Sequence, residues 1–210
     1  CPTPTSNPSK ASPTIDISCK STSTSNGFKV QINGHLSSSG TDFSNQPVLL
    51  SYSNNNGNSW ESLTMVKTSY DGSFMAVWLP SVSGNFLIQA VWEGNPTFNP
   101  TSTIVNFALT PDSENNVISV TSNSTITQFA FNSTSKELSF KASGTEGTKG
   151  YVHIYIPKTL IDDISSLKVY LDGNKITYNS ESQTDTWVIT LSYSHSTHTI
   201  IMELNADSLN

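Results

Sequence analysis

The sequence predicts an all-β protein of two β-sandwich domains in series behind an extended N-terminal arm, and three observations predict it. Ser, Thr and Asn make up roughly two residues in five while charged residues make up only 12%, a polarity of hydroxyls and amides that suits strands and turns in water. Short runs alternate apolar and polar residues, with turn signals about every eight to twelve residues, as in an aligned sandwich. A Pro-containing polar stretch, PDSENN, divides the 210 residues into two halves, each long enough to bury a core.

Residues 1–13 carry Pro2, Pro4, Pro8 and Pro13 among small polar residues, a composition that favours an extended segment without a core of its own. TIDISC follows, with Ile15 and Ile17 on one face. It reads either as the first strand of a sandwich or as a strand donated to another subunit. From Phe28 the alternation is regular, Phe28, Val30, Ile32 and Leu36 facing one way, with Gly34 inside the run. PVLLSYS, the Asn-rich loop at 54–59, and WESLTMVKT form a hairpin. The Asp71–Gly72 turn leads into FMAVWLP, and FLIQAVW returns with Phe86, Ile88, Ala90 and Trp92 on one side. TSTIVNFALT closes a first domain at 14–110, and 111–116 reads as a hinge.

The second domain, 117–210, begins with alternating runs around Ile126 and at Leu138, Phe140 and Ala142. YVHIYIP is a β-branched and aromatic strand ended by Pro157. KTLIDDISSL has helical spacing and predicts a short helix or turn. KVYLDGNKITY is a hairpin with Asp172 and Gly173 at its tip, and DTWVITLSY with HTIIMEL makes the last hairpin.

The net charge of −6, with ten Lys and no Arg, lacks the basic face and bidentate side chains of nucleic-acid recognition. No apolar run approaches membrane-spanning length. No nucleophile elbow, zinc-protease helix or phosphate loop occurs, so the expectation is a protein that is not an enzyme and takes no cofactor.

Several residues invite chemistry. Cys1 and Cys19 can pair as a disulfide worth about 3 kcal/mol through loop entropy, or Cys1 can carry lipid; a membrane becomes a partner only in the lipidated case. Asn123 and Asn132 each open an N-x-[ST] glycosylation sequon. His195 and His198 are three apart, a spacing that points to opposite faces of a strand, so turn polarity outweighs a metal site. Asp162 and Asp163 read as caps at a helix start. Trp78 and Trp92 lie in phase with core positions, whereas Trp60, beside the Asn-rich loop, is the candidate to stack on a sugar.

Over about residues 28–109 the order GHL, QPVLLSYS, Trp60, T-x-x-DGSF-x-x-x-W-x-P and GNFLIQAVWEGN resembles the immunoglobulin-like modules of prokaryotic surface proteins. Over about 116–204 the order SNSTI, FNSTSKELSF, GYV, IPK, LKVYLDGN and HSTH is similar to a β domain that recurs in secreted proteins of methanogenic and related archaea. The resemblances imply immunoglobulin-like sandwiches, export and an archaeal cell surface. The function they frame is an extracellular structural subunit that self-assembles into a filament or sheath by strand addition from the N-terminal arm. A lipid-anchored module or stalk through Cys1 is the alternative, and a carbohydrate-binding adhesin the third. The partners are further copies of the chain, in a homo-oligomer or polymer, with envelope glycans as a second class.

Overall fold

The computed structural model describes residues 10–24, 27–111, 117–161 and 163–204. Among these residues seventeen strands form three sheets with antiparallel ladders, and the helical content is one 3-10 turn at Ile164–Ser166. The strands of the first half are β1 (Thr14–Thr24), β2 (Gly27–Ser38), β3 (Thr41–Asp42), β4 (Pro47–Ser53), β5 (Glu61–Lys67), β6 (Ser73–Trp78), β7 (Gly84–Trp92) and β8 (Thr101–Pro111). Those of the second half are β9 (Val117–Ser122), β10 (Thr125–Asn132), β11 (Glu137–Ser143), β12 (Lys149–Pro157), β13 (Lys168–Leu171), β14 (Asn174–Ile176), β15 (Asn179–Ser182), β16 (Thr186–Ser194) and β17 (Thr197–Glu203).

The largest sheet has the order β15-β16-β12-β9-β8-β7-β4-β5 and runs through both halves of the chain. The sequence predicts a hinge at 111–116; instead β8 and β9 pair from Asn106↔Ser122 to Pro111↔Val117, with 112–116 lying outside the described residues. The reason is visible in the side chains. Phe107, Leu109 and Val117 face one buried cluster, while Ala108, Ile118 and Val120 face the other. A strand apolar on both sides needs a layer over each face, and every residue of β9 is buried.

Two smaller sheets supply those layers. One has β2 at its centre, paired with β1, β3 and β6, and encloses a core that includes Leu36, Trp92 and Phe107. The other, β10-β11-β17-β13-β14, encloses a core that includes Phe140, Ile154 and Met202. The layers overlap the middle of the long sheet from opposite sides. β1 packs on β7, β8, β9 and β12, and β10 packs on β7 and β8.

Local chemistry explains the tight places. Gly34 in β2 has no room for a side chain: a Cβ there would sit 2.2 Å from the Phe74 ring and 2.6 Å from Asp16 O. Glycine is what allows β1, β2 and β6 to approach. The expected helix or turn near 160 is a single turn capped by Asp163, whose Oδ1 accepts from Ser165 N at 2.8 Å; Asp162 lies outside the described residues.

Candidate functional site

Ile15 and Ile17, read as candidates for a donated strand, sit in β1 and pair with Leu36 and Gly34 of β2 in the same chain. Both are buried in the first core, each gaining about 1.5–3 kcal/mol from burial. The outer edge of β1 is also engaged. Thr121 Oγ1 of β9 accepts from Cys19 N at 3.2 Å and donates to Cys19 O at 2.6 Å, and Ser119 Oγ accepts from Ser21 N at 3.3 Å. Hydroxyls on the face of the long sheet therefore satisfy main-chain groups that an edge strand would offer to another chain. Lys20 adds a link to the turn before β16, 3.0 Å from Gln183 Oε1 and 3.2 Å from Asp185 Oδ1.

Cys19 is a free thiol with no exposed surface. Burial pushes its ionisation well above the ordinary thiol range and pushes the neighbouring Tyr155 phenol up to about 12. Cys1 lies outside the described residues. Of the arm, residues 10–13 are described, and they dock on the β7–β8 loop. Asn99 N donates to Ala11 O at 2.9 Å, and Lys10 Nζ donates to Asn95 O at 2.9 Å.

The two sequons differ in engagement. Asn123 is exposed, yet its amide bridges the edge of β12, accepting from Tyr151 N at 2.9 Å and donating to Lys149 O at 3.0 Å. Asn132, at the β10–β11 turn, accepts from Thr134 N at 3.0 Å and Ser135 N at 3.2 Å through Oδ1. Among the described residues its Nδ2 has no partner, which leaves the nitrogen that a glycan would occupy open to solvent.

The histidines serve separate structural tasks. His195 is buried, its Nε2 2.8 Å from Ser124 Oγ and its Nδ1 bonded to Thr148 Oγ1. Ser124 also meets Tyr193 OH at 2.8 Å. Ser124 is wholly buried, so this serine–histidine contact has no surface from which to attack a substrate. Close packing fixes it further, since a Cβ on Gly144 or Gly150 would collide with the His195 ring.

His198 stands between Asp172 Oδ2, 2.7 Å from Nδ1, and Ser194 O, 2.8 Å from Nε2. Ser196 Oγ is 3.0 Å from the same Nε2, which on paper makes a Ser–His–Asp sequence. A carbonyl oxygen only accepts, so Nε2 carries its proton toward Ser194 O and is no base for Ser196. The arrangement is that of an imidazolium held by two acceptors, and Asp172 correspondingly raises the His198 pKa. Among the described residues no group of three or more His, Cys, Asp or Glu side chains could hold a metal ion.

The sheet edges are the remaining candidates. Among the described residues β5 and β15 end the long sheet at opposite sides, neither with a partner on its outer edge. β15 is exposed at all four positions. In β5 the stretch 62–66 is uncharged and Met65 is 65% exposed. Met75 and Val77 of the adjacent β6, with Leu79 and Val82 after it, are also exposed.

No known protein family, curated protein or solved structure matches this chain. The edges, sequons and clefts are therefore read from their own chemistry. Sequence patterning located Ile15, Ile17, Cys19, Trp60 and both sequons as distinctive, but it missed Ser119, Thr121 and Ser124 as buried residues. Their one sequence signal is the density of small hydroxylated residues at 119–125, five in seven, unusual beside the Val and Ile of a buried strand.

Proposed function

We propose that this chain is a non-catalytic structural protein of an extracellular, archaeal surface, two immunoglobulin-like sandwiches fused through a common sheet, whose copies assemble edge to edge. The observation that carries this reading is the eight-stranded sheet, in which β5 at one end and β15 at the other have no partner on their outer edges among the described residues. Different edges joining head to tail exclude a two-fold dimer and make a filament wherever the rotation between copies does not close a ring, and main-chain hydrogen bonds along a sheet edge supply the affinity. The middle of β5, residues 62–66, carries neither Pro nor charge, the features that commonly block such pairing, with Glu61 and Lys67 confined to its ends. Exposed Met65 beside it, and Met75 and Val77 on β6, add apolar area for the next copy to cover. The intramolecular pairing of β1 favours this route over donation of Ile15 and Ile17. The hydroxyl- and amide-rich surface and the open Asn132 amide favour an exported protein.

Light scattering and electron microscopy of the full chain test the proposal. The double substitution Thr64→Lys with Met65→Lys is expected to leave a folded monomer, with unchanged circular dichroism and no polymer. Polymers that persist in that variant overturn the edge assignment. A chain lacking residues 1–9 is expected to assemble normally, and loss of assembly in that chain alone would move the connector to the arm.

A further inference from the structure

We infer that the cleft where the two halves meet, between the β4–β5 loop and β10, is a binding site for a neutral carbohydrate. It encloses about 320 Å³ and its polar lining includes Asn54 and Asn56 from the loop, Asn85 of β7, Asn106 of β8, and Thr125 and Thr127 of β10. Among the described residues none of those four amides has a side-chain hydrogen bond within the protein, and no charged side chain lines the cleft. Each amide offers two donors and one acceptor, the complement of neighbouring sugar hydroxyls that both donate and accept. Leu87 and Ile126 contribute apolar surface, against which the C–H face of a pyranose packs. A phosphate or carboxylate ligand would find no cation here, and a lipid would leave the amides unpaired at a cost of about 1–3 kcal/mol for each buried group.

The site is built before any ligand arrives. Asn55 accepts from Ser53 Oγ at 2.8 Å and from Ser59 N at 3.0 Å, donates to Ser59 Oγ at 2.7 Å, and so ties the loop across its base. Gly57 N donates to the same Ser53 Oγ at 2.9 Å. Asn56 and Gly57 adopt left-handed backbone with φ of 60° and 85°, which turns the loop over the cleft. On the other wall the β10–β11 ladder shifts register between Thr127 and Ala130, a bulge that re-aims the strand where Thr125 and Thr127 line the opening. A fixed loop loses little entropy on binding. Trp60 stands behind this wall: a Cβ on Gly57 would be 3.5 Å from Leu87 Cδ1 and 4.0 Å from Trp60 Cζ2. The indole does not line the cleft, but it lies beside the loop that covers it and close enough to Leu87 for its fluorescence to report on binding.

The test is titration of the folded full chain with chitotriose, mannotriose, cellotriose and maltotriose, and with sialyllactose and a heparin disaccharide as anionic controls. At least one neutral trisaccharide is expected to bind and to change tryptophan fluorescence, a change absent in Trp60→Phe. Asn85→Ala and Asn106→Ala are each expected to weaken that binding about tenfold, the loss of roughly 1.4 kcal/mol, without lowering the melting temperature. Silence across the neutral sugars, preference for the anionic ones, or binding unchanged in both Asn variants overturns the inference. Because monomers suffice for the titration, its outcome is independent of edge-to-edge assembly.

Discussion

At the scale of single residues, burial decides chemistry more than residue type does. Cys19 would be a reactive thiol on a surface, yet with no exposed area and its ionisation pushed up by desolvation it has neither access nor thiolate character. Native protein is therefore expected to leave Cys19 unmodified by iodoacetamide at pH 8, whereas protein unfolded without reductant should be alkylated there, as peptide mass mapping would show. A disulfide from Cys1 to Cys19 predicts the opposite, no alkylation of Cys19 until reductant is added. The same principle governs Ser119 and Thr121: they are buried because their hydroxyls complete the main-chain hydrogen bonds of β1. Ser21 Oγ, by contrast, is buried without a partner among the described residues. Such a group costs about 1–3 kcal/mol, a cost the seam tolerates because Ser21 N is satisfied by Ser119.

At the scale of elements, the turn between β13 and β14 is locked to β17 by a titratable clamp. Asp172 N donates to Thr199 O at 2.8 Å, Asp172 Oδ1 accepts from Thr199 N at 2.7 Å, and Oδ2 meets His198. The His198 bond lowers the Asp172 pKa and Asp172 raises that of His198. A raised histidine pKa adds stability that is complete below its unfolded value of about 6.5 and is lost as pH rises through the higher folded value. A lowered carboxylate pKa adds stability present above about 3.9 and lost as pH falls through the lower folded value. The clamp is thus strongest in the mildly acidic window between these limits. Asp172 is 47% exposed, so screening by water holds the ionic part to about 1 kcal/mol or less. His198→Gln is expected to lower the melting temperature at pH 5.5 by more than at pH 8.5, and an equal loss at both would show that packing, not charge, is what His198 provides. This hairpin also shows what patterning can reach. Asp172 and Gly173 mark the turn in the sequence, and Phe86, Ile88, Ala90 and Trp92 in β7 share a buried face as their alternation predicts. β15, with four exposed polar residues, has no apolar alternation to announce it, and the cleft draws its amides from three separate stretches that only the pairing of distant strands brings together.

At the scale of the molecule, the decisive contact is the pairing of β8 with β9. Local composition at PDSENN resembles a linker because turn residues look alike whether they join strands of one sheet or separate domains. The difference lies in the flanks, where Phe107 and Leu109 alternate with Ala108 and Ile118 follows Val117, so that each half supplies a face the other half must cover. Lys20 with Asp185, and Cys19 with Thr121, tie the halves at a second place. Two sandwiches on a flexible hinge would melt separately, each with its own enthalpy. A shared sheet couples them, because losing either half strips one layer from β8 and β9 and exposes Ala108, Ile118 and Val120 or Phe107, Leu109 and Val117. Differential scanning calorimetry of the intact chain is expected to give one transition with a calorimetric to van't Hoff enthalpy ratio near one. Thr121→Val, which keeps the volume of the side chain but leaves the Cys19 N–H and C=O without their hydroxyl, is expected to lower that single transition by about 1–3 kcal/mol of stability. If the variant instead splits the trace into two peaks, or if residues 14–111 expressed alone melt at the temperature of the whole, the halves fold as separate units and the common sheet is a contact of convenience between them.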